Sequence, residues 1–145
     1  MNEGIEDRAR RAAAAPDDGA AAFEYASALD AADREAEAIP VYRHALAGGL
    51  PGELDYRARV QLGSSLRLAG QVPEAVAVLR GVVARWPDRA AGRLFLALAL
   101  LDAGAHGEAV RQAMLAALAS PGGPDLDYYR RALASYAAQL PADPG

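Results

Sequence analysis

Cysteine is absent from the 145 residues, and with it every disulfide and every thiolate metal site. Lysine is absent too. All 15 basic side chains are arginine, a bias that a GC-rich genome explains without any special arginine chemistry. Aromatics make up only 6% of the chain and β-branched residues are few apart from a handful of valines, which disfavours sheet. No apolar run exceeds the eight residues from Leu94 to Leu101, far short of the roughly 20 needed to span a bilayer. The opening MNEGIEDRARR carries charges where a secretory signal needs an apolar stretch. Net charge is −4 and the pI is near 5.1, so neither nucleic acid nor an anionic membrane is an expected partner. A soluble cytoplasmic chain is the expectation.

Catalytic signatures are missing as well. Two histidines, His44 and His106, lie far apart and no HExxH occurs, so no metal is expected. No GxGxxG or GxxxxGK[ST] loop is present to cradle a phosphate, and no cofactor is expected. Ser64 and Ser65 fall in the middle of a predicted helix, whereas a serine nucleophile needs a strained turn. The pairs Glu35/Glu37 and Asp17/Asp18 suit helix ends and solvated faces. The chain reads as a non-enzyme.

What the chain has in abundance is alanine, about a quarter of all residues. Alanine is the best helix former and a poor core filler, so the expected fold is all-α with closely approaching helices. The spacing predicts a helix over 2–15, closed by Pro16, and a second from the caps Asp17 and Asp18 to about Ala32. Asp33 is placed to cap a third helix, which Pro40 obliges to start late, near Ala36, or to kink. Glycine and proline at 48–52 break the chain. Helices over about 54–69, 73–85, 89–103 and 108–119 follow, with Gly70 as a left-handed C-cap and Pro73 at a first helical position. A last helix over 125–140, capped by Asp125, precedes a short tail.

These helices repeat. Leu62, Gly63, Leu66, Gly70, Ala75, Leu79 and Pro87 return 34 residues later as Leu96, Ala97, Leu100, Gly104, Ala109, Ala113 and Pro121. Tyr25, Ala26, Leu29, Ala38, Tyr42 and Ala45 fit the same frame at an offset of 37. A fixed period of this size marks a helical array. The unit resembles the tetratricopeptide repeat family, in a small form of bacterial type. The family's leading tryptophan is replaced by Ala22, Arg59 and Arg93. The expected architecture is one domain over 1–145. It is an α-solenoid of three antiparallel helix pairs (about 17–50, 54–87 and 89–121) with an N-terminal half-repeat helix and a C-terminal capping helix.

The resemblance implies a concave face, lined by the first helix of each pair, that touches a partner peptide. In this frame the lining is Phe23, Ser27 and Asp30, then Arg57, Val60, Ser64 and Arg67, then Leu94, Leu98 and Leu101. The family's carboxylate-clamp groove uses lysines and asparagines, which this face does not carry. Two readings stay open for the three leucines: an apolar anchor for a partner helix, or internal burial beneath the last helix through Leu126, Leu133 and Tyr136. Likewise two functions stay open. One is a module binding an unidentified protein or peptide in its groove. The other is a self-associating homodimer whose groove is filled by its own terminal helix or a second subunit.

Overall fold

The computed structural model describes residues 4–119 and 123–140, so Asn2, the Pro121 terminator and the tail after Leu140 lie outside the described residues. Among the described residues there are eight α-helices and no strand. They are α1 (Ile5–Ala14), α2 (Gly19–Ala31), α3 (Glu35–Ala47), α4 (Gly52–Leu68), α5 (Val72–Arg85), α6 (Ala90–Asp102), α7 (His106–Ala119) and α8 (Pro124–Gln139). Helices α2 to α7 form three pairs. The all-α expectation stands.

One turn chemistry builds all three pairs. The amides of Arg34, Gln71 and Ala105 donate to the carbonyls of Leu29, Leu66 and Leu100, at 3.0, 2.8 and 2.9 Å. This is the six-to-one bond that closes a helix when the residue before it turns left-handed. Gly70 and Gly104 hold that conformation at φ 84° and 80°, and Asp33 holds it at 57°. Asp33 is therefore the turn residue of its pair and not the cap of α3, whose start at Glu35 has no side-chain cap. Aspartate is one of the few residues besides glycine that visits this region. Asp18 does cap α2, its carboxylate accepting from the Ala21 amide at 3.2 Å. Pro40 lies on the exposed side of α3, in its second turn, and donates nothing to the Ala36 carbonyl.

Small residues set the spacing within each pair. Ala26, Ala38 and Ala75 are fully buried, and Leu29, Tyr42, Leu66, Leu79 and Leu96 fill the space between pairs. Gly63 marks the closest approach: a Cβ there would stand 2.5 Å from Cγ of Leu79. Alanine gains about 1 kcal/mol over glycine in a helix interior, but overpacking a full core costs about 1–3 kcal/mol. Leu79 is itself fully buried and has no room to yield. Gly63→Ala is expected to lose about 1–3 kcal/mol of stability. Gly81→Ala, with nothing within 4 Å, is expected to gain about 0.5–1 kcal/mol. Urea unfolding of the two variants checks the pair; a Gly63→Ala protein as stable as the parent would show that Leu79 can move.

Between pairs, α3 packs on α4 and α5 on α6, while α1 packs on α2. Exposed ion pairs Arg43–Glu74 and Arg80–Glu108 link successive second helices and contribute little. The C-terminal helix departs from the stacking rule. One period after Gly63 and Ala97 stands Arg131, too large for close approach. Helix α8 runs beside α6, with side chains reaching α4, and approaches no other helix backbone among the described residues. The outer stripe of α7 is left bare: Val110, Met114 and Leu118 are 58%, 62% and 79% exposed.

Candidate partner-binding face

A cleft of about 570 Å³ opens among α2, α4, α6 and α8. Its floor is a hydrogen-bond network that ties the first two pairs together. Asp30, near the end of α2, accepts from the Tyr42 hydroxyl of α3 and the Ser65 hydroxyl of α4, both at 2.6 Å. Gln61 donates through Nε2 to the Tyr42 oxygen at 2.7 Å and to Ser27 Oγ at 3.0 Å. Burial pushes the Asp30 carboxyl up to about 6, against the two hydroxyl bonds that pull it down, with Glu35 adding repulsion. Burial and the neighbouring Asp30 charge likewise hold the Tyr42 phenol far above its ordinary value. Asp30, Asp33 and Glu35 line the cleft and no basic side chain does, among the described residues.

The roof of the cleft is aromatic. Tyr128, Tyr129 and Tyr136 of α8 face α4 and α6. Arg57 stacks on the Tyr128 ring, 3.7 Å from its centroid, and Arg67 stands 5.1 Å from that of Tyr136. Tyr129 meets Phe95 edge-on at 5.1 Å and Tyr136 meets it at 6.3 Å. On the other side of α8 lies a second cavity, about 470 Å³, where Leu94, Leu98 and Leu101 face Leu133, Ala137 and Leu140. Its walls are almost wholly aliphatic. Among the described residues no group of three or more His, Asp or Glu could hold a metal ion, and no helix is long and apolar enough to cross a membrane.

The family model described as Tetratrico peptide repeat matches residues 19–140. The chain is a tetratricopeptide repeat protein. It has no match among curated proteins. The matched span begins at α2 and takes in α8, further than the repeat frame reaches from the sequence alone, and it leaves α1 outside. Membership carries a general protein–protein interaction or scaffolding role.

In this tetratricopeptide repeat protein the ten residues singled out from sequence fall into four groups. Ser27, Asp30 and Ser64 line the larger cleft. Leu94, Leu98 and Leu101 line the aliphatic cavity, half-buried, so neither open exposure nor full burial describes them. Arg57 and Arg67 are neither solvated nor free: they lie under tyrosines and pair with Glu53 and Asp102 at 3.1 and 3.0 Å. Phe23 and Val60 belong to the core, at 7% and 0% exposure. Phe23 packs on Tyr42 with ring centroids 6.1 Å apart, so these two offer nothing to a partner. The sequence reading names Tyr136 as a cover for the leucines, but not Gln61, and not the place of Tyr128 and Tyr129 on the roof of the cleft. Gln61 carries a signal, a polar residue beside the Leu62-Gly63 pair; the tyrosines carry theirs in the stripe of the last helix.

Proposed function

We propose that the protein is a non-catalytic interaction module that takes a partner peptide or helix along the face made by α2, α4 and α6. The observation that supports this is the 570 Å³ cleft, which draws Ser27 and Asp30 from α2, Ser64 from α4 and Phe95 from α6 to one opening. A concave site with converging polar groups beside aromatic walls is the usual form of a binding site. Stacked helix pairs present such faces as extended surfaces. The aliphatic cavity beyond α8 supplies an anchor for a leucine-like side chain, and Leu98 is one of its walls. Capture from extract of the source cell with immobilised wild type and Leu98→Arg tests the reading. The wild type is expected to retain a specific protein that the variant loses while keeping its helical circular dichroism. A folded variant that retains the same protein would sink the groove assignment.

One feature favours the second reading, self-association. The bare stripe Val110, Met114 and Leu118 on α7 is an apolar face that a second copy could cover. Light scattering at micromolar concentration decides it, because a strict monomer removes the homodimer.

A further inference from the structure

Helix α8 sits where the proposed partner would sit, and its seat is poorly made. Of its 16 residues only Tyr129 is buried. That phenol is deep enough to be pushed above its ordinary value by burial, and its hydroxyl has no hydrogen-bond partner among the described residues. A buried hydroxyl left unpaired works against the contact that buries it. The two cavities, about 570 and 470 Å³, flank α8 on either side, so it fills only part of the space between the first-helix face and solvent. Helices α2 to α6 each pack on two or more neighbours; among the described residues α7 and α8 each approach the backbone of α6 alone, α7 along much of its length and α8 only sparsely.

Leu126 and Leu133 of α8 pack half-buried against the core, and the remaining contacts that hold it are directional. Asp125 does not cap its own helix, which starts after Gly123 without a side-chain cap. Its carboxylate reaches across to the start of α6, accepting from the Ala91 amide at 2.7 Å and from Arg89 at 2.8 Å. A carboxylate at a helix amino terminus meets both unpaired N–H groups and the positive end of the dipole. Tyr129 and Tyr136 then lie four and eleven residues further along. At 3.6 residues per turn that spacing keeps all three on one face. Tyr129 takes Phe95, and Tyr136 takes Phe95 and Arg67, with its hydroxyl 3.5 Å from Ser64 Oγ. These are contacts that a helix from another protein could reproduce without any covalent link to this chain.

We propose that α8 is a resident occupant of the docking face, displaced by a partner helix carrying the same pattern: a carboxylate at its amino end and aromatic rings four and eleven residues on. The inference rests on the reading that the α2–α4–α6 face takes a partner, and it adds the partner's chemistry and the way the face is kept covered. An occupant tethered in place lowers the apparent affinity for a free competitor by the fraction of time it is away. Opening the seat should restore that affinity.

The test uses the full chain and a labelled synthetic peptide spanning residues 123–140, whose binding is read by fluorescence anisotropy. The double variant Tyr129→Ala with Tyr136→Ala is expected to bind this peptide about tenfold or more tighter than the wild-type chain does. An Asp125→Asn peptide is expected to bind the same variant several-fold more weakly. In the wild type, saturating peptide is expected to speed hydrogen exchange of the α8 amides and leave those of α4 and α6 unchanged. Equal peptide binding by wild type and a folded double variant overturns the proposal. So does α8 exchange that matches α6 and ignores the peptide, or a double variant that unfolds, since α8 is then part of the core. The probe is the chain's own helix, so failure to capture any outside protein bears on the preceding section alone.

Discussion

Leu66→Ala is expected to lower the unfolding free energy by about 2–5 kcal/mol, the range for truncating a buried leucine. Leu66 is fully buried, and its carbonyl also anchors the turn to Gln71 at 2.8 Å. A domain of this size has on the order of 5–15 kcal/mol in total, so one methyl-bearing side chain carries a large share. Leu68, two residues on along the same helix, is 42% exposed. Leu68→Ala should stay within about 0.5 kcal/mol of the parent. Urea titrations of the two variants separate a core position from a surface one by sequence distance alone. A Leu66→Ala loss as small as that of Leu68→Ala would mean that the repeat frame is misassigned.

The second large effect depends on pH. Asp30 holds its proton more tightly folded than unfolded, with a carboxyl raised from 3.8 to about 6 by burial. Folding therefore takes up a proton between those values. The stability that this group contributes is complete below about 4 and is lost as pH climbs through about 6. The size of the loss is up to about 3 kcal/mol, taking 1.36 kcal/mol for each pH unit. Asp30→Asn removes the titration and keeps an acceptor for one hydroxyl. Tyr42 can turn to accept from the new amide, since its oxygen already accepts from Gln61. Relative to wild type, the variant is expected to gain stability steadily from pH 4 to pH 7. Identical slopes for the two proteins across that range would remove Asp30 as the titrating group.

Elements specified by neighbouring residues were legible in the sequence. The helix pairs follow from 3.6-residue periodicity and from Gly70 and Gly104, because a left-handed turn is decided by one residue and its immediate flanks. Asp33 reads as a cap from sequence because aspartate suits both roles, although it stands at the position of Gly70 in the repeat frame. Phe23 and Val60 fall on the open face in the repeat frame because an amphipathic stripe shows one buried side. A first helix in a stacked array has neighbours on several sides, and its buried arc is wider than the stripe. Asp125 reads as a cap correctly in type but caps a different helix, and that choice is made by tertiary approach. Arg57 and Arg67 read as groove lining, and the tyrosines that cover them lie on α8, beyond the three helix pairs.

Helices α2 to α7 each pack on the helix made just before, whereas α8 reaches back to α6 and α4, its Tyr136 touching Ser64 across 72 residues of chain. During synthesis the array can therefore assemble behind the ribosome pair by pair, from contacts that close short loops and form fast. The face of α2, α4 and α6 is finished before the last helix has been translated. A binding partner present at that moment meets an empty seat, and one that arrives later meets an occupied one.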